Sequence, residues 1–552
     1  MTKMKDRNQQ LRASLGGLPT KQVIKEIHNI PKEDTVNRSG IASYSIDDKL
    51  RLVSMLNTLK IEPQFYRSEN EQMSELRDII ERIGQTDPYF VAQAIVWSRC
   101  CGEGMRSINH LAAALLAPFI SGTDWGKRFY SAFQKQESKK TGIPTGGCIF
   151  RADDMNEIKD VFLALNTAKL TNAMKKGFAS VIEGLDTYAL AKYKKSLIDV
   201  INMVHPNPSK SSATILKDGV EIPVISALMQ GMPVSADTWE VAQSEAGQEV
   251  AKAVKEGKIT KEEGAKILAE AKADNWEALL AEGKLGILAA LRNIRNMMKN
   301  PRKEMIDNWC KLISNQQLIR SGLILPSHFD LAYTIVAEEF DGYDYSHQVK
   351  EALLRAYQES IPNLKEVFKG KTLVILDCSG SMDYRINVNG THIRTTSCIQ
   401  KGALIAATLV KAVDADVLRF GSRAAWWNGN KHLDLFTMAR SLEKADLGCT
   451  YMHTAFQLLA TSRAKYDRII IISDNEVNND RCLVSDAYRN YIRSVCSPYI
   501  YAIDLAAYGT TPLSNEGKVK YMYGYGATMY EDLAKSEFDP SKYLDRILAV
   551  KI

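Results

Sequence analysis

Between Ser45 and about Ser360 the apolar residues recur at helical spacing. Leu52, Met55, Leu56 and Leu59 fall at i, i+3, i+4 and i+7, as do Leu76, Ile79, Ile80 and Ile83. That spacing gives each segment one apolar face. Start signals accompany the pattern: Ser45 stands three residues before Asp48, and Thr86-Asp87 precede Pro88 at a first-turn position. Many helices follow one another with short breaks, which predicts an array of antiparallel helix pairs, a HEAT-like solenoid. The stretch from Ser209 to Asp274 is less regular, and Glu249 to Lys272 reads as a charged, exposed helix.

Near Ile361-Pro362-Asn363 the period changes. Thr372 to Leu376 is a continuous apolar, β-rich run, and similar runs occur at Asp416 to Phe420, Ile469 to Ile472 and Tyr499 to Ile503. They alternate with helical segments such as Gly402 to Val410, the pattern of a doubly wound, mainly parallel α/β sheet. The expectation is a multidomain chain: an N-terminal segment over 1–44, a helical-repeat domain over 45–364 and an α/β domain over 365–552.

Composition narrows the class. The 552 residues exceed what one core needs, and 45% hydrophobic with 25% charged residues is the globular average. The most apolar stretch, Leu111 to Ile120, is broken by Pro118 and falls short of the ~18 residues of a spanning helix. No apolar signal follows Met1, and nine cysteines show no CxxC spacing. A cytoplasmic, reduced, monomeric protein with no membrane association is expected. The net charge of +6 is too small to announce a nucleic-acid binder, and residues 366 to 552 carry 23 basic against 20 acidic side chains. Any RNA site must therefore be a local patch.

Candidate chemistry concentrates at one sheet edge. The first strand ends in Asp377-Cys378-Ser379-Gly380-Ser381, and two later loops offer Thr450 and Asp474. Loops at the carboxyl ends of such strands are where ligands bind. Carboxylates and hydroxyls suit a hard divalent cation, with Mg2+ the natural occupant. Read singly, the same residues would cap turns. Taken together, Asp377, Ser379, Ser381, Thr450 and Asp474 resemble the metal-ion-dependent adhesion site of von Willebrand factor A domains.

An A-type domain preceded by a long helical array resembles the Ro autoantigen family, the TROVE-domain RNA-binding proteins. Lys192-Tyr193-Lys194-Lys195 followed by His205-Pro206, and Trp276 to Leu280 running into Leu291 to Met297, look like family signatures. The resemblance implies that the helical repeats close into a ring whose ends the A domain joins. It further implies that single-stranded or misfolded RNA ends enter a basic cavity, while small structured noncoding (Y-like) RNA binds outside. Carried over, Lys192 and His205 are outer RNA contacts, with Lys194 and Lys195 beside them. Ser196 departs from the Arg of eukaryotic members.

Physically, flexible cations pair with phosphates without reading sequence, and Tyr193 could stack a base. Lys175 and Lys176 add to this set, and Arg292, Arg295 and Lys299, with Asn293 between them, fall at i, i+3 and i+7 as a basic stripe on one helix. A solvated amphipathic helix explains that stripe equally cheaply, and His205 could instead be a core histidine.

No GxxxxGK[ST], GxSxG, HExxH or GxGxxG occurs, so nothing in the chain demands catalysis. The reading is a non-catalytic, Ro-like RNA-binding protein acting in RNA quality control or as a degradation scaffold, with an exoribonuclease or other protein docked on the A domain. Two alternatives stay open: a metal-dependent protein-interaction scaffold that binds no RNA, and a metal-dependent phosphohydrolase.

Overall fold

The computed structural model describes residues 30–59, 64, 66–102, 104–165, 169–217, 219–232, 258–283, 285–322, 326–360, 368–384, 397–444, 448–478, 482–524 and 543–552, with single positions 234, 250, 253, 256, 324, 529, 530 and 533. Most of the expected N-terminal segment, the boundary near 365 and the middle of the irregular stretch lie outside these residues. The strands in chain order are β1 (Thr35–Val36), β2 (Ala42–Ser45), β3 (Thr214–Lys217), β4 (Val220–Pro223), β5 (Thr372–Asp377), β6 (Asp416–Phe420), β7 (Ala424–Trp426), β8 (Arg468–Ser473), β9 (Tyr499–Asp504), β10 (Thr510–Thr511) and β11 (Val519–Tyr523). The chain divides into two compact units, residues 1–116 with 363–550, and residues 117–362 with 551–552.

The first unit is built on a six-stranded sheet of order β11-β9-β8-β5-β6-β7. All neighbours are parallel except the edge pair β6 and β7. Every residue of β5 and β8 is buried, as strands covered on both faces must be, which is why they read as unbroken apolar runs. Alternate side chains serve opposite faces. Leu373 and Ile375 join the core formed with Phe456, Leu459, Tyr488 and Tyr491 of helices His453–Ser462 and Val484–Ser494. Leu376 turns the other way, against Gly402 of helix Cys398–Val413, where an added Cβ would lie 3.0 Å from it.

The strand order runs outward from β5 to β7 and then resumes on the other side with β8. This reversal makes β5 and β8 a topological switch point, with a crevice at their carboxyl ends. Asp377 ends β5, and Asp474 follows β8.

Helices Asp48–Thr58, Glu69–Thr86 and Pro88–Cys100 pack on one another in the same unit. Their apolar stripes, Leu52 to Leu59 and Leu76 to Ile83, are buried as the spacing predicts. Asp87 caps the helix begun by Pro88. The expected cap Ser45 is a correction: Asp47 caps the first helix, accepting from the amides of Lys49 and Leu50. Ser45 instead ends β2 and donates to Asp34.

One side chain ties these helices to the sheet. The Arg67 guanidinium is fully buried and donates to the carbonyls of Ala506 and Ala507, each at 3.0 Å, and to Glu75 at 2.8 Å.

The second unit is helical apart from the β3–β4 hairpin. Two of its helix pairs share a local design. Thr187–Lys192 and Lys194–Val204 are separated by Tyr193 alone, and Ile287–Arg292 and Ile294–Lys299 by Asn293 alone. Tyr193 and Asn293 have nearly the same angles, φ −98° with ψ 12° or 11°. The basic stripe therefore does not lie on one helix. Asn293 interrupts it as a single turn residue: its backbone amide still donates to the Ala289 carbonyl at 3.2 Å and its side-chain amide adds a bond of 2.9 Å to the same oxygen, while Tyr193 makes the same break with no such side chain. The charged helix of the irregular stretch is observed as Lys261–Ala281, opened by a Thr260–Glu263 capping box.

Replacing Arg67 with Met should lower unfolding free energy by roughly 1–3 kcal/mol, because two buried carbonyls lose their donor, while Glu75 keeps Arg38 and Arg51. Denaturant unfolding measures it, and a loss under 1 kcal/mol would remove Arg67 from its tying role.

Candidate metal centre and nucleic-acid surface

Asp377 is fully buried where β5 ends. One carboxylate oxygen accepts the Ser379 amide at 2.9 Å and the other the Ser473 hydroxyl at 2.6 Å. The hydroxyls of Ser379 and Ser381 lie 3.3 Å apart, and Ser381 reaches Asp474. Asp474 is likewise buried; its Oδ1 accepts the Glu476 amide at 3.2 Å, while its Oδ2 has no hydrogen-bond partner among the described residues. Thr450 is held to the Asp474 loop by Asn478, through bonds of 2.9 Å in both directions. The Gly380 amide donates to the Gly448 carbonyl. The structure thus gathers the loops carrying all five predicted residues at the switch point.

Burial pushes the Asp377 carboxyl above its usual range, and burial together with the charge of Asp377 pushes Asp474 higher still. Two adjacent buried carboxylates, one with an orphaned oxygen, fit a missing positive charge. Among the described residues no three His, Cys, Asp or Glu side chains converge on a metal position. A set of two carboxylates and three hydroxyls favours a hard oxygen-seeking ion over zinc.

Two further acids lie at this edge. Glu476 accepts the Arg38 amide at 3.1 Å, and burial pushes its carboxyl up to about 7. Asp504, which ends β9, accepts the amides of Ala506 and Ala507, and burial raises it to about 6. Sequence reasoning missed Asp504, although Tyr499 to Ile503 followed by Asp repeats the apolar-strand-then-Asp pattern of Asp377. Residues 37–39 cover this edge: Asn37 Nδ2 donates to the Val477 carbonyl at 2.7 Å, and Asn478 Nδ2 to Ser39 at 3.3 Å.

The second unit carries the basic residues. Lys175, Lys176 and His205 line one open cavity of about 340 Å³ with Lys127 and Lys210, two cations the sequence analysis did not single out. Helix Asn172–Glu183 supplies the first pair. His205 is exposed, not a core residue: it caps helix Lys194–Val204 in the left-handed region at φ 49°. Glu183 is the acid in the lining, and it accepts the Asn207 amide while standing 4.0 Å from Lys210.

Lys192 and Lys195 are exposed on the neighbouring helices. Lys192 sits 5.7 Å from the Tyr188 ring, itself half exposed, and 5.9 Å from Tyr193. Tyr193 is also covered by Arg151, at 5.9 Å from its ring. Lys194 donates to the Val234 carbonyl at 2.9 Å, so its charge is partly engaged. Ser196 bonds the Tyr193 carbonyl.

Arg292, Arg295 and Lys299 are exposed, with Asn293 half-buried at the break, above buried Ile294, Met297 and Met298. Arg295 is already engaged, making two bonds of 2.8 Å to Glu339, which raises its pKa further. No ion pair to Arg292, Lys299, Lys175, Lys176, Lys192 or Lys195 occurs among the described residues.

No family model and no curated protein matches the chain. Among solved structures it is similar to the Deinococcus radiodurans RO (RSR) protein, with a TM-score of 0.54 at 15% sequence identity, over 89% of this chain and the whole of that one. The similarity is one of fold, and it bears out the expected combination of a helical array with an A-type α/β domain.

Proposed function

We propose that this chain is a non-catalytic RNA-binding scaffold of the Ro type. The observation that carries the proposal is the cavity that assembles Lys127, Lys175, Lys176, His205 and Lys210, cations up to 83 residues apart, around the single acid Glu183. Packing cationic groups together costs Coulomb energy, which a polyanion offsets. Exposed Lys192, Lys195 and Tyr188 extend this surface, where a structured noncoding RNA would rest its backbone and stack a base. Single-stranded RNA ends would follow Arg292 and Lys299 on the other helix pair. RNA quality control, or presentation of RNA to an exoribonuclease docked on the sheet unit, is the role such a scaffold serves.

Asp377, Ser379, Ser381, Thr450 and Asp474 would hold a divalent cation, Mg2+ by preference. Held by these residues, such a cation would supply a positive charge able to bind a partner's carboxylate. The protein's own part is to fix the two carboxylates through Ser473, Ser379 and the Glu476 amide. Among the described residues no helix is long and apolar enough to cross a membrane. The rival reading, a protein-interaction scaffold that binds no RNA, rests on the metal site alone and leaves the lysine cavity without a purpose.

Without a cation, burial holds the Asp377 and Asp474 pKa values above their unfolded values. The folded state then keeps protons that the unfolded state loses, and stability falls as pH rises through the raised values. Mg2+ should therefore stabilise the protein more at pH 7 than at pH 4. Asp377→Ala should abolish the Mg2+-dependent thermal shift, and an equal shift in the wild type and the variant would remove the site assignment.

Exchanging Lys175 and Lys176 for Glu should weaken a hairpin RNA at least tenfold. Their combined loss should lower its salt slope by about 2 at ~0.9 per phosphate contact. Changing Lys192 and His205 together should weaken the hairpin more than an unpaired tail. Unchanged binding in both variants would leave the surface a solvated helix face.

On the second helix pair, Arg292→Glu should reduce binding of 3′-tailed RNA more than Arg295→Glu does, because Glu339 already holds Arg295. Competition between tailed and blunt versions of one RNA reads this out, and equal binding of the two would exclude the path.

A further inference from the structure

Helix Pro88–Cys100 ends in two adjacent cysteines whose sulfurs approach to 3.2 Å. The corner that holds them is fixed on several sides. The amides of Cys101 and Gly102 both donate to the Trp97 carbonyl, at 2.7 and 2.9 Å, and Gly104 donates to Ser98 at 2.9 Å. Arg99 reaches forward to the Gly104 carbonyl at 3.0 Å. Gly102 packs so tightly that an added Cβ would lie 2.1 Å from Asn57 Oδ1 and 2.9 Å from the Ser98 backbone. Beneath it, Ser98 Oγ, Asn57 and Asn109 form a buried hydrogen-bonded set. Cys100 is buried and Cys101 half-buried, so one sulfur meets solvent first.

The spacing selects the chemistry. Tetrahedral zinc with bonds of ~2.3 Å would hold two sulfurs about 3.8 Å apart, whereas a pyramidal centre with near-right angles and similar bonds needs about 3.2 Å. No third His, Cys, Asp or Glu completes a metal set among the described residues, which suits a centre that takes two thiolates and brings its own third substituent. A disulfide, at ~2.05 Å, would close an eight-membered ring across one peptide, where adjacent Cα atoms about 3.8 Å apart lie below the usual span, so the bond would be strained and easily reduced.

We propose that Cys100 and Cys101 form a preorganised vicinal dithiol, a modification site that chelates monosubstituted trivalent arsenicals and is closed to a disulfide by peroxides. In the oxidation, Cys101 Sγ attacks the peroxide, giving a sulfenic acid and releasing water or, from an organic peroxide, an alcohol. Cys100 Sγ then attacks that sulfur and expels hydroxide, which takes up the Cys100 proton as a second water. Two thiols are oxidised by two electrons, and the peroxide O–O bond is reduced. The mutual hydrogen bond and burial raise the Cys100 pKa well above its ordinary value, so Cys100 stays protonated at pH 7 and the more exposed Cys101 is the sulfur that attacks first. A monothiol alkylator should then label the exposed Cys449 well before buried Cys100.

The test uses the full chain with phenylarsine oxide and with hydrogen peroxide. Trypsin cuts after Arg99 and Arg106, so both sulfurs fall in one peptide, residues 100–106. The expected results are an arsenical bound in that peptide, released by a small dithiol but not by a monothiol, and, after peroxide, the same peptide lighter by two hydrogens. Cys101→Ser and, independently, Cys100→Ala should each abolish both. The proposal is overturned if either variant binds the arsenical as wild type does, or if peroxide leaves the two cysteine sulfurs unchanged or adds oxygen to either of them, which fragmentation separates from oxygen on Met105 of the same peptide.

Discussion

Uncompensated negative charge at the carboxyl edge of one sheet sets the terms for the first unit. Asp377, Asp474, Glu476 and Asp504 are all buried there, and burial raises the pKa of each. Isolated buried carboxylates would be prohibitive. Relief comes from residues far away in the chain: the Arg38 amide and guanidinium face Glu476, and Arg67 lies near Asp504 while bonding the carbonyls just beyond it. Residues 1–116 and 363–550 form one compact unit, and Arg38 and Arg67 are two of the contacts that join its parts at this edge. What remains unbalanced, Asp377 with Asp474, is the pair a divalent cation would neutralise.

The lysine cavity poses the opposite problem. Cations brought together by helix packing repel one another, and here they face solvent, where the cost is modest and a phosphate backbone reverses it. The two surfaces therefore ask for ligands of opposite sign. The parts differ in readiness as well: Arg295 and Lys194 are already engaged within the protein, whereas Lys175, Lys176, Lys192 and Arg292 have no acid to displace among the described residues.

Legibility in the sequence followed the range of the interaction. The unbroken apolar runs of β5 and β8 announce strands covered on both faces, and Asp377 and Asp474 follow directly from where those runs stop. The helical stripes at Leu52 and Leu76 are equally local. Asp504 carried the same signal as Asp377 and was overlooked because no serine pattern followed it. Asp47 outcompeted Ser45 as a cap because Ser45 was claimed by Asp34 across the β1–β2 turn. Lys127 and Lys210 joined Lys175 only through packing of distant segments, and the pairing of Arg295 with Glu339 spans 44 residues. The break at Asn293 repeats the one at Tyr193, a single turn residue that the apolar periodicity does not reveal.

The central claim is that the lysine cavity is a nucleic-acid surface. Ultraviolet crosslinking of RNA copurified with the full chain, followed by mapping of the modified peptides, tests it most directly. Crosslinks should fall on peptides bearing Lys127, Lys175, Lys176, Tyr188 or Lys210, and purified protein should carry RNA absorbance. Protein free of RNA, or crosslinks confined to residues 368–524, would contradict it.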